Sequence, residues 1–186
     1  MSIIELQKRV GTVPDGFWGP KSIAACQRHL LALFPKVNPW PSYADRIKFY
    51  GHPGNVEMLR IGLPAALFLY GDTSNPVTSV GVHLKCAESL ARVFADIHER
   101  GLWGLIRSYD GCFNNKNING TKTKSNHAWA AAVDLNHATN REFSPWPTHS
   151  NMAIELMECF AREAWVSAGA FWGRDAMHFE AVKPTN

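Results

Sequence analysis

HAWAAAVDLN, residues 127–136, can be read in two ways, and the choice sets the fold. As one continuous helix it would hold His127 and Asp134 roughly 10 Å apart along the axis. As a turn running into a strand, AVDLN, it would let the two side chains converge. Ala128, Ala130, Ala131 and Ala132 are small enough to permit close backbone approach, and the second reading is the one that can build a site.

Working outward supports a mixed architecture. PTHSNMAIELMECFAREAWVSAG (147–169) places Ile154, Met157, Phe160, Ala161 and Ala164 on one helical face, with Gly169 expected to end the helix. FWGRDAMHFEAV (171–182) reads as a turn leading into a short strand. Upstream, residues 110–126 are almost wholly polar and form a long loop, a kind of segment that is often functional. GLWGLIRSY (101–109) reads as a strand after a break at Gly101. Leu84, Ala87, Leu90, Ala91, Phe94 and Ile97 form a helical stripe, and Val80 and Val82 alternate as in a strand. Residues 36–76 hold KVNPWPSYADRIKFYGHPGN and read as a linker or irregular region packed on the core, with an apolar stretch at 59–71. Residues 1–35 form a compact helical unit: a first turn in ELQKRV, the turn VPDGFWGPKS, and a helix from SIAACQRHLLALF with Ser22 as its cap. The expected fold is α+β, a small antiparallel sheet with flanking helices over residues 77–186, preceded by the helical N-terminal segment.

The bulk numbers narrow the function. The chain has 186 residues, of which 46% are hydrophobic and 19% charged, enough to bury a core and too apolar for disorder. A net charge of +3 does not make nucleic acid the main partner and is compatible with an anionic polymer. The four cysteines, Cys26, Cys86, Cys112 and Cys159, form no CxxC pair and read as reduced, mostly buried thiols. MSIIELQKRVG lacks the pattern of a signal peptide, and no run approaches a membrane span. The expectation is a protein made in a bacterial cytoplasm, without a membrane span and monomeric.

Of eight histidines, two stand beside carboxylates: His127 in SNHAWAAAVDLN and His178 in GRDAMHFE. A catalytic zinc site takes three side-chain ligands and keeps one position open. His127, Asp134 and His178 supply such a set. Asp175, three residues before His178, is placed to accept a proton from water. Arg107 and Lys116 are candidates to face a developing oxyanion, and Ser125, Tyr109 and Trp129 to line a substrate groove. His137, close behind Asp134, is a candidate to support a ligand.

SNHAWAAAVDLN resembles the Ser-x-His-x-x-Gly-x-Ala-x-Asp motif of the M15 metallopeptidases, and RDAMHFE resembles their Asp/Glu-x-x-His motif. The resemblance spans about residues 77–182. It implies a hedgehog/DD-peptidase-like fold, with Zn2+ held by His127, Asp134 and His178 and with Asp175 as general base. An Asp at position 175 is similar to the phage endolysin branch, which cuts L-Ala–D-Glu, more than to the D-Ala-D-Ala carboxypeptidases. Ala130 stands where the family has glycine, so a left-handed backbone there would be strained. Related phage sequences carry Arg where this chain has Lys116. LQKRVGTVPDGFWGPKSIAACQRHL resembles a shortened peptidoglycan-binding repeat. Together these imply a zinc peptidase of bacterial peptidoglycan stems that acts on the cell wall after release. The alternatives are a D-Ala-D-Ala carboxypeptidase and a non-catalytic wall-binding protein with a structural metal.

Overall fold

The computed structural model describes residues 1–185. The N-terminal unit pairs α1 (Ile3–Arg9) with α2 (Pro20–Leu31). A capping box at Ser2 and Glu5 starts α1. The turn between the helices is organised on Gln7, which is fully buried. Its amide nitrogen donates to Asp15 Oδ1, the Phe17 carbonyl and Ser22 Oγ, and its Oε1 accepts from the Gly16 amide. Ser22 therefore does not cap α2. Gly19 takes the cap position with Pro20 behind it, and the Ser22 hydroxyl is committed to Gln7 and Phe17.

Residues 36–76 are more ordered than a linker. They contain α3 (Arg46–Tyr50), all of β1 (Met58–Leu69) and the start of β2 (Asp72–His83). The two strands form a long antiparallel hairpin, irregular between Gly62 and Leu67. Prolines and glycines obscured this pairing because they fall at the hairpin's bulges and ends. Next come α4 (Ala87–Glu99), β3 (Tyr109–Gly111), β4 (Ala132–Leu135), α5 (Ile154–Arg162), β5 (Val166–Ser167), α6 (Ala168–Trp172) and β6 (His178–Glu180). The strands form one sheet in the order β2-β1-β3-β4-β6-β5. All neighbours are antiparallel except β1 and β3, which meet at the single pair Leu69 and Tyr109. The fold is thus α+β, and α4 and α5 pack their apolar faces into one core with the sheet. Among the described residues no helix is long and apolar enough to cross a membrane, and the four cysteines are free and buried.

Two elements differ from the sequence expectation. GLWGLIRSY is not a strand until its last residue. Trp103 turns in against Phe94 and His98. The Asn136 side chain accepts the amides of Arg107 and Ser108 and donates to the Leu105 carbonyl, standing in for a ladder. The helix beginning at Ile154 stops at Arg162, not at Gly169. Ala164 adopts φ 60, the Trp165 amide donates to the Phe160 carbonyl and the Ala164 amide to that of Ala161. This is a Schellman termination without glycine. The Phe160 and Trp165 rings supply its apolar contact at 5.9 Å, and the indole N–H reaches Ser89 Oγ.

Gly169 instead lies buried inside α6, where an added Cβ would come within 2.8 Å of Ala176 Cβ and 3.0 Å of Met157 Cε. Gly169→Ala is therefore expected to lower unfolding free energy by about 1–3 kcal/mol through overpacking; an unchanged denaturation midpoint would contradict this contact. A second expectation concerns the clasp between the N-terminal unit and α5. Glu158 accepts from Arg9 at 2.7 Å and lies 2.8 Å from His29 Nε2. Burial pushes its carboxyl up, but Arg9 and His29 outweigh that and hold it below its ordinary value of 4.5. A depressed carboxylate stabilises above its unfolded pKa and loses that contribution as pH falls through the folded one. Glu158→Gln should cost about 1–2 kcal/mol at pH 7, discounted for Arg9's partial exposure. In paired urea titrations the gap from wild type should close below pH 4.5.

Candidate metal centre

Strand register brings the first two ligands together. Asp134 on β4 is the cross-strand partner of His178 on β6, and Ala132 is the partner of Glu180. Because side chains alternate along a strand, His178 and Glu180 share the site face while Phe179 points into the core, stacked on Phe160 at 3.9 Å. His127 arrives from a 3-10 turn, Asn126–Trp129. Ser125 caps that turn, Ala130 leaves it at φ 50, and its carbonyls at 127, 128 and 130 accept the amides of Asn114, Gly54 and His83. The left-handed backbone that alanine resists is therefore present, held by these bonds.

Three atoms converge. His178 Nδ1 lies 2.9 Å from Asp134 Oδ1, and His127 Nε2 lies 3.1 Å from each of them. The outward ring nitrogens are committed elsewhere: His127 Nδ1 donates to the Cys112 carbonyl at 2.8 Å, and His178 Nε2 donates to Glu180 Oε2 at 3.1 Å. Neutral imidazoles so arranged aim lone pairs inward. Two imidazole nitrogens and a carboxylate oxygen this close together form a cluster that a cation can bridge. Ligands about 2.0–2.2 Å from tetrahedral zinc stand about 3.3–3.6 Å apart, and the distances found, 2.9–3.1 Å, are somewhat shorter. These residues are the one cluster among those described with the geometry to hold a metal ion, and the donor set, two imidazoles and a carboxylate, suits zinc. The three groups are also coupled electrostatically. Burial alone would raise the Asp134 carboxyl, but His127 and His178 hold it far below the usual range. Burial works against a charged His127, yet Asp134 outweighs it and raises that imidazole.

The cluster opens into a cleft of about 310 Å³. Asp175 lines it, in a left-handed conformation with φ 55. Its Oδ1 is buried and lacks a hydrogen-bond partner, and burial pushes the carboxyl up, with His178 opposing. A buried, unpartnered carboxylate oxygen in the same cleft as the His127, Asp134 and His178 cluster has the chemistry to accept a water proton. Lys116 and Ser125 also line the cleft.

Four sequence candidates lie elsewhere. Arg107 is exposed and is not among the cleft residues; its amide donates to Asn136 Oδ1 at 2.6 Å. Tyr109 is buried in the core beside Cys112. Trp129 is also buried, its indole donating to the Gly51 carbonyl and its ring lying against Arg46. His137 contacts Met177 Sδ and Tyr70 and no ligand.

Several residues at the site were not foreseen. Glu180 supports His178, and its position two residues beyond a strand ligand was a usable signal. Trp172 stacks on His178 at 5.6 Å while remaining 41% exposed in the cleft. Tyr43 and Arg46 reach the cleft from the proline-rich stretch, and Asn126 joins them to Glu180.

No curated protein matches the chain, and no solved structure matches it. Residues 119–181, about a third of the chain, match the M15 peptidase family model described as D-alanyl-D-alanine carboxypeptidase. The matched segment carries His127, Asp134, Asp175 and His178, so the part of the chain that builds this centre is similar to M15 peptidases, and the match supports a peptidase.

Proposed function

We propose that this protein is a zinc-dependent peptidase of bacterial peptidoglycan that hydrolyses a stem-peptide amide, with L-Ala–D-Glu as the bond cut, in the manner of a phage endolysin. The observation that carries this reading is the convergence of three inward lone-pair atoms beside the unpartnered, buried Oδ1 of Asp175, at the floor of an open cleft.

Zinc held by His127, Asp134 and His178 would supply a Lewis acid at which water ionises near pH 7. Asp175 Oδ1 takes the proton that the attacking water releases as the new C–O bond forms. It then delivers that proton to the amine nitrogen as the C–N bond breaks, so one water is consumed and two termini appear. Burial raises this carboxyl above its ordinary value, with His178 opposing, which strengthens it as the base that takes the water proton. Lys116, on the cleft wall, faces the negative charge that develops on the carbonyl oxygen. As a point charge it lacks the two-pronged geometry of arginine. Ser125 acts by holding the turn that aims His127, through its hydroxyl on the His127 amide. Trp172 offers an apolar wall for substrate beside His178. Residues 1–35 would add contact with the wall polymer, and the enzyme would meet that polymer after release from a bacterial cytoplasm.

A second reading, D-Ala-D-Ala carboxypeptidase action, is favoured by the description of the matched family. Mass spectrometry of digested peptidoglycan separates the two. New L-Ala carboxyl and D-Glu amino termini support the endopeptidase, whereas loss of a terminal D-Ala alone replaces it with the carboxypeptidase. Chelation should abolish either activity and zinc should restore it.

Asp175→Asn is expected to keep one zinc per chain and to lower turnover by about 10²–10⁴-fold. Wild-type turnover in that variant would remove Asp175 from the mechanism. Lys116→Met should lower turnover by about 10²-fold, with recovery in Lys116→Arg.

A further inference from the structure

We infer that Tyr43 and Arg46, on the stretch between the N-terminal unit and the sheet, are positioning residues of the metal centre: through Asn126 and Glu180 they fix how His178 presents Nδ1, and so set how tightly the centre binds zinc. The inference rests on the zinc-peptidase reading above, and both residues lie outside the matched segment 119–181.

The chain of contacts starts at the ligand. His178 Nε2 meets Glu180 Oε2 at 3.1 Å. The same oxygen accepts from Asn126 Nδ2 at 2.6 Å, and the Tyr43 hydroxyl donates to Oε1. Glu180 is buried at 2% exposure, so its rotamer is settled by these three donors and not by solvent. Asn126 cannot turn its amide over, because its Oδ1 accepts from Arg46 Nη1 at 2.7 Å. That bond forces the NH2 end toward Glu180. Arg46 is itself held: Nε donates to the Tyr43 carbonyl at 2.9 Å, and Nη1 also reaches the Lys124 carbonyl at 3.1 Å. Its guanidinium lies 4.5 Å from the Trp129 ring centroid and 5.0 Å from that of Tyr43. A buried arginine thus faces a buried glutamate through one asparagine.

The consequence lies in the tautomer. With Glu180 in place, the His178 proton belongs on Nε2 and the Nδ1 lone pair faces Asp134 and His127. If Asn126 or Glu180 swings away, Nε2 loses its acceptor and the proton can move to Nδ1, the atom needed for the metal. Outer partners of this kind typically shift metal affinity by about 10–100-fold.

The test uses the full chain. Zinc affinity is measured by competition with a chromophoric chelator, and the His178 tautomer by 15N NMR of the imidazoles, for wild type, Arg46→Gln, Arg46→Lys, Tyr43→Phe and Glu180→Gln. Arg9→Ala serves as a remote control that weakens the fold without touching the site. Arg46→Gln and Glu180→Gln should bind zinc about 10–100-fold more weakly. Tyr43→Phe should sit at the lower end of that range, Arg46→Lys should recover part of the loss, and Arg9→Ala should bind as wild type does. The His178 signals should show Nε2–H in wild type and a mixture in the weakened variants. Wild-type affinity and tautomer in folded Arg46→Gln or Glu180→Gln overturn the inference while leaving the metal centre standing. If those two do not fold, Tyr43→Phe decides alone, and wild-type affinity there overturns it. Failure of the wild-type protein to bind zinc removes both this inference and the peptidase reading beneath it.

Discussion

The register between β4 and β6 is the constraint on which the site depends. It sets Asp134 directly opposite His178 and Ala132 opposite Glu180, which places two candidate ligands, and the carboxylate that contacts one of them, on a single face. Strand side chains have a period of two, so a slip of one residue would turn this whole set into the core and bring Phe179 to the cleft. The Phe179–Phe160 stack guards against that slip, because burying Phe179 and exposing His178 to the cleft are the same choice. Core packing and site assembly are therefore one interaction seen from two sides of a three-residue strand.

Backbone strain gathers around the same strands. Of the four non-glycine residues with positive φ among those described, Ala130 lies between His127 and Asp134, Asn136 follows β4, and Asp175 precedes His178. Asparagine and aspartate enter the left-handed region readily, and alanine does so at a cost of about 1 kcal/mol or more. Each of the three is over-determined: Ala130 by the His83 amide on its carbonyl, Asn136 by its side-chain bonds to the 105–108 turn, and Asp175 by the His178 amide on its carbonyl. The strain is what lets a seven-residue separation, too long on a helix, close onto one point.

How much of this was legible follows from what is local. The ligand trio and Asp175 stood in short motifs, and the α+β class could be read from alternation and helical stripes. Three things were not local. The Schellman end of α5 has alanine where glycine is the usual signal, so the helix looked longer than it is. The strand expected at 101–109 yielded to a side chain, Asn136, nearly thirty residues downstream. Tyr109 and Trp129 were open to either a groove or a packing role, and both take the packing one: the first fills the core and the second backs Arg46. Aromatic character alone does not say which side of a sheet a ring will take.

The stretch read as a linker carries the widest consequence. An irregular segment rich in proline and glycine can contribute to a site only if something pins it, since its own backbone bonds do not. Here the pins are tertiary. The Tyr50 hydroxyl donates to the Ala181 carbonyl at 2.6 Å, the Gly51 carbonyl takes the Trp129 indole, the Gly54 amide meets the Ala128 carbonyl at 2.7 Å, and the Trp40 indole meets the Glu163 carbonyl. Three of these four anchors land on the turn that carries His127, or on the residue that follows the strand carrying His178. The segment is therefore ordered by the elements that bear the ligands, and Tyr43 and Arg46, lying between its anchors, return that order to the ligands through Glu180 and Asn126. Such reciprocity explains why sequence alone gave no warning: neither the segment nor the orientation of His178 is determined until both are folded together.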